Sequence, residues 1–223
     1  MGRPRILSLD TSVFNEPLTE EARYWIGFLL ADGCISENTI ILQLAEKDLE
    51  QIEKFKTFLK SGHKISSVSN GYGGVGYRFA VRSKELCNTL SLHGILPSKS
   101  FTATAPESLT TDRDFWRGVI DGDGSVGIVK SECKTYTKTY TYYYPVIQLC
   151  GSECVCTQFL SFCKSVDDKI GANVHKSKSI YALQIKGTAA AEVIRCLYDN
   201  APVSLERKSN RAIPLMEDKN EIV

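Results

Sequence analysis

Trp25-Ile-Gly-Phe-Leu-Leu-Ala-Asp-Gly33 and Trp116-Arg-Gly-Val-Ile-Asp-Gly-Asp-Gly124 are two copies of one pattern. Each copy has a tryptophan, a glycine two positions later, an apolar run and a final Asp-Gly pair. The first run is apolar nearly all round, which is typical of a helix buried between two layers. The repeat therefore predicts two helices packed against each other, with Asp32 and Asp123 side by side at their ends.

Residues that flank each copy support this assignment. Thr19 can cap the first helix, and Thr111 and Asp114 have the spacing of a capping box before the second. Gly33 and Gly124 follow the helices as C-terminal stops. A glycine inside a helix costs about 1 kcal/mol relative to alanine. The glycine inside each copy therefore predicts a close approach of the two helix backbones.

The elements predicted around each copy occur in the same order. Periodicity indicates a helix, two strands, a helix, two strands and a helix, present twice along the 223 residues. We predict an α+β fold of two pseudo-symmetric αββαββα halves, each with an antiparallel sheet that helices cover on one face. The predicted segments are an N-terminal tail 1–17, a first half 18–102, a linker 103–110, a second half 111–212 and a C-terminal tail 213–223.

The composition is that of a globular chain, with 43% hydrophobic residues and a net charge of +1. No apolar run reaches the roughly 18 residues of a membrane span, so none is expected. The N-terminal residues lack the apolar region of a signal peptide, so we expect an intracellular rather than a secreted protein. With so little net charge, nucleic-acid binding would require basic residues concentrated on one face.

Three short motifs allow competing interpretations. Gly2-Arg3-Pro4-Arg5 resembles a tail that binds the minor groove, but a disordered terminus is the commoner explanation. The glycine-rich loop 70–76 lacks the Gly-Lys-Ser/Thr and following helix of a phosphate-binding loop, which favours a turn. Cys150, Cys154 and Cys156 lack the paired C-x₂-C spacing of zinc ligands, so we expect them to be free thiols.

A long hairpin near residues 125–150 is the most informative part of the predicted open faces. Alternate residues from 130 to 144 place lysines and tyrosines on one side, although the turn can shift the register. These side chains suit phosphate and base contacts, whereas a solvated hairpin of high β-propensity is the alternative. The hairpin residues predicted to bind nucleic acid are Lys130, Lys134, Tyr136, Lys138, Tyr140, Tyr142 and Gln148. The other strands add Asn38, Gln43, Ser66, Arg78, Arg82, Lys176, Lys178, Gln184 and Lys186.

Asp32 and Asp123 are poorly placed for stability alone. Each follows an apolar helix, where the negative end of the helix dipole makes an acid unfavourable by about 0.3–1 kcal/mol. Placed together, the two carboxylates also repel each other. A divalent cation between them would remove both costs, and hard oxygen ligands favour Mg²⁺. A turn residue before glycine is the common alternative for one aspartate, but it does not explain two at matching repeat positions.

The two copies resemble the LAGLIDADG motifs of homing endonucleases. In the first copy, Gly27, Ala31, Asp32 and Gly33 match the motif, and Leu30 stands where the family has an earlier aspartate. In the second copy, Gly118, Asp121, Asp123 and Gly124 match, and Gly122 replaces the alanine. Two motifs in one chain resemble the monomeric, pseudo-symmetric members of this family.

The resemblance implies two αββαββα halves packed along the motif helices, with open sheets that form a saddle over double-stranded DNA. Members cut both strands across the minor groove of a long, imperfectly palindromic site and leave short 3′ overhangs. The last acid of each motif binds Mg²⁺, so the resemblance gives Asp32 and Asp123 this role. The carbonyls of Ala31 and Gly122 are implied as further ligands, and Asp121 as an interface or cap residue. Mn²⁺ is expected to substitute, and Ca²⁺ to bind without supporting cleavage.

Three further residues are implied at the catalytic centres. Members place a lysine near each scissile phosphate, and Lys99 and Lys208 stand at equivalent positions, with an exposed lysine as the alternative. Glu46 matches a polar residue that organises water at the end of the second strand. Gly151 occupies the corresponding place in the second half, so we expect unequal centres.

The leading hypothesis is therefore a site-specific, metal-dependent DNA endonuclease. The first alternative is a DNA-binding regulator with the same fold and no cleavage activity. Regulators of that type tend to lose the motif acids, and both acids are present here. The second alternative is an RNA maturase that binds RNA with the same sheets.

Overall fold

The computed structural model describes residues 7–69, 74–97 and 102–216. The first half contains α1 (Glu20–Asp32), β1 (Gly33–Ser36), β2 (Thr39–Ala45), α2 (Leu49–Phe58), β3 (Ile65–Ser69), β4 (Val75–Arg82) and α3 (Lys84–Leu92). The second half contains α4 (Arg113–Asp123), β5 (Gly124–Lys134), β6 (Thr139–Gly151), α5 (Glu153–Val166), β7 (His175–Ser177), β8 (Ile180–Lys186) and α6 (Thr188–Tyr198), and α7 (Glu206–Met216) follows. Short 3₁₀ turns cover Glu46–Asp48 and Glu107–Leu109.

Each half has one four-stranded antiparallel sheet. The strand order is β1-β2-β4-β3 in the first sheet and β5-β6-β8-β7 in the second, so the two halves have the same topology. The predicted α+β fold of two repeated halves is therefore confirmed. The α7 helix was not predicted, and it occupies residues assigned to the end of the second half and the C-terminal tail.

The capping of the two motif helices differs in one respect from the prediction. Thr19 Oγ1 accepts a hydrogen bond from the backbone N–H of Ala22 at 3.1 Å, as expected. Asp112, and not Thr111, caps α4 by accepting a 2.9 Å hydrogen bond from the Phe115 N–H. The cap lies one residue later because α4 begins at Arg113.

The α1 and α4 helices are in backbone contact at their glycines. A β-carbon on Gly27 would overlap the carbonyl oxygen of Phe115, and one on Gly118 would overlap the carbonyl oxygen of Tyr24. The two contacts are reciprocal, as expected for helices related by an approximate two-fold axis. No larger residue could occupy either position without moving a helix backbone, because the overlapping atoms belong to the main chain.

Matching aromatic contacts attach each motif helix to its own half. The ring centroids of Trp25 and Phe55 are 4.9 Å apart, and those of Trp116 and Phe159 are 5.2 Å apart. All four side chains are buried. The repeat therefore extends from the sequence to the cores, where each motif helix packs against the second helix of its own half, α2 or α5.

Residues 7–19, which precede α1, are packed against the first half. Phe14 is fully buried, and its carbonyl accepts a 2.9 Å hydrogen bond from His93 Nε2. The Asp10 N–H donates to the Leu59 carbonyl at 2.9 Å, and Lys60 pairs with the Asp10 carboxylate. Gly2-Arg3-Pro4-Arg5 and residues 70–73 of the glycine-rich loop lie outside the described residues.

Two general properties complete the fold. All eight cysteines are free thiols. No helix among the described residues combines the length and apolar character that a membrane span requires.

Candidate metal centre and nucleic-acid interface

Asp32 and Asp123 are the last residues of α1 and α4, and both are exposed. The two helix ends meet so closely that a β-carbon on Gly122 would overlap the side chain of Ala31. The same β-carbon would lie 3.4 Å from Asp32 Oδ2, so this carboxylate reaches across to the end of α4. The structure thus places the first motif acid at the C-terminal turn of the second motif helix.

The ligands offered at this junction are all oxygen atoms. Two carboxylates are present, together with the backbone carbonyls of Ala31 and Gly122 that the resemblance implies as ligands. No group of three or more His, Cys, Asp and Glu side chains converges anywhere in the described ranges. The set fits Mg²⁺, which keeps several waters and needs only one or two carboxylates from the protein. It does not resemble a closed structural zinc site.

Lys208 lies behind this junction, in the first turn of α7. Its Nζ donates to the carbonyl oxygens of Ile120, Asp121, Gly122 and Gly124 at 2.8, 2.7, 3.1 and 2.7 Å. The residue is only 4% exposed. Burial lowers the pKa of Lys208 to about 8, while the nearby carboxylates of Asp121, Asp32 and Asp123 oppose this shift. Lys208 therefore faces the end of α4, whereas the sequence suggested a position beside phosphate.

Asp121 is the centre of a buried network between the halves. Its Oδ2 accepts from the hydroxyl of Tyr24 at 2.8 Å and from the N–H of Leu205 at 2.7 Å. Its Oδ1 accepts from the hydroxyl of Tyr198 at 2.7 Å. Burial raises the pKa of Asp121, and these three hydrogen bonds act in the opposite direction. Asp121 is thus an interface residue, as the resemblance implied.

The partners of Asp121 were not found from the sequence. Tyr24 belongs to the first motif helix, and its hydroxyl also accepts a 2.6 Å hydrogen bond from Gln51 Nε2. The only available indication was the mismatch between Leu30 and Asp121 at equivalent repeat positions. An unmatched buried acid requires polar partners, but the pattern does not reveal which side chains provide them.

The second-strand ends of the two halves differ as the sequence suggested. Glu46 follows β2 and is exposed. Gly151 ends β6, and a β-carbon added there would meet nothing within 4 Å. Gly151 and Asp123 both line a cavity of about 240 Å³. The space that an acid would occupy is therefore open in the second half. Lys99 lies outside the described residues.

The open face of the first sheet carries a row of polar residues. Gln43 on β2 is opposite Arg78 on β4, and Ser66 on β3 is the next residue in the same row. Arg82 lies on this face opposite Thr39. Asn38 lies in the β1–β2 turn with a positive φ of 63°. Four of the predicted contacts thus share one face, with Asn38 at its end.

The open face of the second sheet has a comparable row. Gln148 on β6 is opposite Gln184 on β8, and the Gln184 Nε2 donates to Gln148 Oε1 at 3.3 Å. Lys186 lies on the same face, opposite Val146. The amide pair resembles the Gln43–Arg78 row in its central position on the sheet, but it carries no charge.

The register of the β5–β6 hairpin corrects part of the prediction. Ser131 is opposite Tyr142 and Cys133 is opposite Tyr140, so these tyrosines lie on the open face. Lys130 is opposite Tyr143, and Lys134 is opposite Thr139. Both lysines lie on the other face of the hairpin, which is the face that covers the core nearer to α4. The hairpin residues on the core-side face of β5 are Val126, Ile128, Lys130, Glu132 and Lys134.

The turn explains the error. Thr135 and Lys138 are hydrogen-bonded across a turn whose two central residues are Tyr136 and Thr137. Residues that face each other across such a turn differ by an odd number, so even-numbered residues of β5 share a face with odd-numbered residues of β6. The prediction carried one alternation through the turn, which placed the lysines of β5 beside the tyrosines of β6. Tyr136 and Lys138 lie at the exposed tip.

The outer strand of the second sheet requires a similar correction. Lys176 is opposite Tyr181, which alternates with the buried Leu183 on the core-side face. Lys176 therefore points toward the helix side at the edge of the sheet. Lys178 lies in the β7–β8 turn, with a positive φ of 56°.

Comparisons with known proteins identify the fold. The sequence matches no protein-family model and no curated protein. Solved structures do match. The LAGLIDADG meganuclease I-AabMI bound to uncleaved DNA has a TM-score of 0.59 and 15% identity, over 86% of this chain and 88% of that chain. I-SmaMI bound to uncleaveable DNA with a TTCT central four has a TM-score of 0.60 and 12% identity, and the match covers 87% of this chain and 88% of that chain.

A further structure is I-SmaMI bound to an uncleaved DNA target in the presence of calcium ions. It has a TM-score of 0.54 and 14% identity, and the match covers 86% of this chain and 88% of that chain. At these identities the comparison establishes the fold and not the activity. The resemblance inferred from Gly27, Asp32, Gly118 and Asp123 is confirmed at that level, since the matches extend over most of both chains. The chain has the two-repeat fold of the LAGLIDADG homing endonucleases.

Proposed function

We propose that this protein is a site-specific, double-strand DNA endonuclease whose cleavage depends on a divalent cation. One observation carries the proposal: two exposed aspartates end two helices that touch at Ala31 and Gly122, between two open sheets. The exposed oxygens of two acids at touching helix C-termini can hold a hard divalent cation, which would offset their repulsion and the unfavourable helix dipole. The fold is shared with solved meganucleases bound to DNA, which supports DNA as the substrate.

Asp32 and Asp123 are the proposed ligands, with the carbonyls of Ala31 and Gly122. A bound Mg²⁺ would neutralise charge on the scissile phosphate and make a water molecule more acidic. The protein contributes the position of the oxygens, because the glycine contacts of α1 and α4 fix the two helix ends against each other. We expect Mn²⁺ to substitute for Mg²⁺ and Ca²⁺ to support binding without cleavage.

The open sheet faces are the proposed DNA-binding surface. Arg78 and Arg82 in the first half and Lys186 in the second can contact phosphates or guanine, while Gln43, Gln148 and Gln184 can contact base edges. Tyr140 and Tyr142 extend this surface along the hairpin. The faces differ in composition, so we propose that each half binds a different half-site. One chain contains both motifs, which allows it to act as a monomer.

The two cleavage centres are proposed to be unequal. Glu46 directly follows β2 in the first half, whereas Gly151, at the corresponding place in the second half, has open space around it. A polar side chain in this position can orient an attacking water. We therefore expect one strand to be cut faster than the other, so that nicked DNA accumulates before double-strand cleavage. The cuts should lie across the minor groove and leave 3′ overhangs.

The test is incubation of the purified chain with a randomised duplex library in Mg²⁺, followed by sequencing of both ends of every cut molecule. The proposal expects one long, imperfectly palindromic site with 3′ overhangs at its centre. A chain that selects one site but never cuts it, with Mg²⁺ or with Mn²⁺, would be a DNA-binding regulator instead. Parallel selection with an RNA library would identify a maturase.

A further inference from the structure

We propose that Lys208 is a positioning residue that holds the C-terminal turn of α4, and with it the oxygens of the metal centre, and that it does not contact DNA phosphate. This inference rests on the proposed function. Four main-chain carbonyls surround the Lys208 ammonium group.

The last turn of an α-helix leaves carbonyl oxygens without partners inside the helix. In α4 the Gly124 N–H donates to the Ile120 carbonyl, and no basic residue of α4 itself lies in the last turn. Lys208 provides a cation from another helix, and its ammonium donates to four carbonyls between Ile120 and Gly124 at 2.7–3.1 Å. A cation at this end also opposes the negative pole of the helix dipole.

Lys208 is brought to this place by a segment that both halves hold. The preceding residue, Arg207, forms a bidentate ion pair with Asp48 of the first half: its Nε donates to Oδ1 at 2.7 Å and its Nη2 donates to Oδ2 at 3.1 Å. Leu205 donates its N–H to Asp121 of the second motif helix at 2.7 Å. Residues 205–208 therefore connect the first half to the end of α4, and the Lys208 side chain lies at the point of convergence.

The burial of Lys208 argues against direct contact with DNA. The residue is 4% exposed, and its three N–H groups are shared among four carbonyls. Extension toward a phosphate would break these four hydrogen bonds. By contrast, Lys186 on the open face of the second sheet is exposed and has no such set of acceptors within the described ranges. It provides a matched control with the same side chain.

One of the four carbonyls is the proposed Gly122 ligand. The Nζ–O distance there is 3.1 Å, whereas the three other distances are 2.7–2.8 Å. A carbonyl oxygen has two lone pairs, so it can accept a hydrogen bond from Lys208 with one and still contact a metal ion with the other. Lys208 thus acts on the centre through Gly122 and through the turn that carries Asp123.

The test compares Lys208→Met with Lys186→Met in three measurements. The first is DNA affinity in Ca²⁺ at several salt concentrations, where loss of one phosphate contact reduces the slope of log K against log[salt] by about 0.9. The second is the Mg²⁺ concentration that gives half-maximal cleavage. The third is hydrogen exchange of the backbone amides between residues 120 and 125, which does not depend on activity.

We expect Lys186→Met to reduce the salt slope and to leave exchange at the end of α4 unchanged. Lys208→Met should leave the salt slope unchanged, accelerate exchange at the end of α4, and raise the half-maximal Mg²⁺ concentration by about tenfold or more, as loss of an orienting contact does. A reduced salt slope in Lys208→Met would overturn the inference. So would unchanged exchange and unchanged Mg²⁺ dependence.

Lys208→Gln covers the case in which the methionine variant does not fold, because its amide can still donate to part of the carbonyl set. A purely structural role would lower the thermal stability of either variant without changing the Mg²⁺ dependence of the folded fraction, and this too would overturn the inference. If wild-type protein binds its site but never cuts it, the proposed function fails. The salt slopes and exchange rates would still decide where Lys208 acts.

Discussion

The carboxylate of Asp32 lies against Gly122: its Oδ2 atom is 3.4 Å from the place that a β-carbon on this glycine would occupy. The same β-carbon would overlap the side chain of Ala31, which precedes Asp32 in α1. The junction between the motif helices thus has room for one methyl group and not for two. This limit fixes how closely the two acids approach.

Gly122→Ala should therefore separate the helix ends. We expect a loss of about 1–3 kcal/mol in the free energy of unfolding, as for overpacking of a core, together with slower cleavage. The double variant Ala31→Gly/Gly122→Ala keeps a single methyl group at the junction and should recover most of both losses. Denaturant unfolding and cleavage kinetics provide the two measurements. Equal defects in the single and double variants would show that crowding is not the cause.

Gly27→Ala should be more damaging than Gly122→Ala. The added β-carbon would meet the main-chain carbonyl of Phe115, which cannot move without α4. We expect destabilisation of about 3 kcal/mol or more. Gly171→Ala is the control, because a β-carbon there meets nothing within 4 Å. Thermal unfolding of the purified variants compares them, and a Gly27→Ala protein as stable as Gly171→Ala would contradict the described packing.

Gly151→Glu should place a carboxylate beside the second centre without disturbing the fold. The open space around Gly151 means that stability should change by no more than about 0.5 kcal/mol. The difference between the cutting rates of the two strands should become smaller, and Glu46→Gln should slow cutting at the first centre. Gly151→Gln is the matched uncharged control. The rates follow from a duplex with a different label on each strand, and no change in their ratio would count against the role of this position.

The packing of the N-terminal segment should depend on acid pH. Hydrogen bonds from Ser12 and the Lys60 ammonium hold the pKa of Asp10 at about 2, below its ordinary value of 3.8. An acid whose pKa is lowered in the folded state contributes stability above its unfolded pKa, and this contribution is lost progressively as the pH falls from about 5 to about 1. Because the pair is partly exposed, the effect should be below about 1 kcal/mol.

Asp10→Asn tests this directly. The difference in unfolding free energy between the wild type and the variant should be full at pH 6 and should have lost most of its size near pH 2. Denaturant titrations at several pH values measure it. A difference that does not change with pH would show that the carboxylate charge is not involved.

The packing of the two motif helices could be predicted from the sequence, because the repeated glycines are unfavourable at these helix positions unless the helices meet there. Gly27 and Gly118 are costly inside helices unless two backbones meet, and the structure shows that contact. The strand rows with Gln43 and Arg78 were also predictable, since short strands keep their alternation. In both cases the sign lies within one stretch of sequence: a glycine inside an apolar helix, or alternation along a short strand.

Other parts of the site depend on geometry that the sequence does not contain. The two-residue turn at Tyr136 and Thr137 reverses which residues share a face, so Lys130 and Lys134 were placed on the wrong side of the hairpin. Lys208 belongs to a helix that is not part of the repeat, and its carbonyl partners are more than 80 residues away in the chain. No local pattern indicates either relationship.

Asp32 and Asp123 are proposed to form the cleavage centre together. Strand-resolved cleavage of the selected DNA site in Mg²⁺ by wild type, Asp32→Asn and Asp123→Asn, with DNA affinity measured in Ca²⁺, tests this role. Because a change beside a metal ligand already costs about 10–100-fold, each loss of a ligand should slow cleavage by more than about 100-fold. Both variants should still select the same site. Cleavage by either variant at the wild-type rate would show that the substituted aspartate is not a ligand of the catalytic metal.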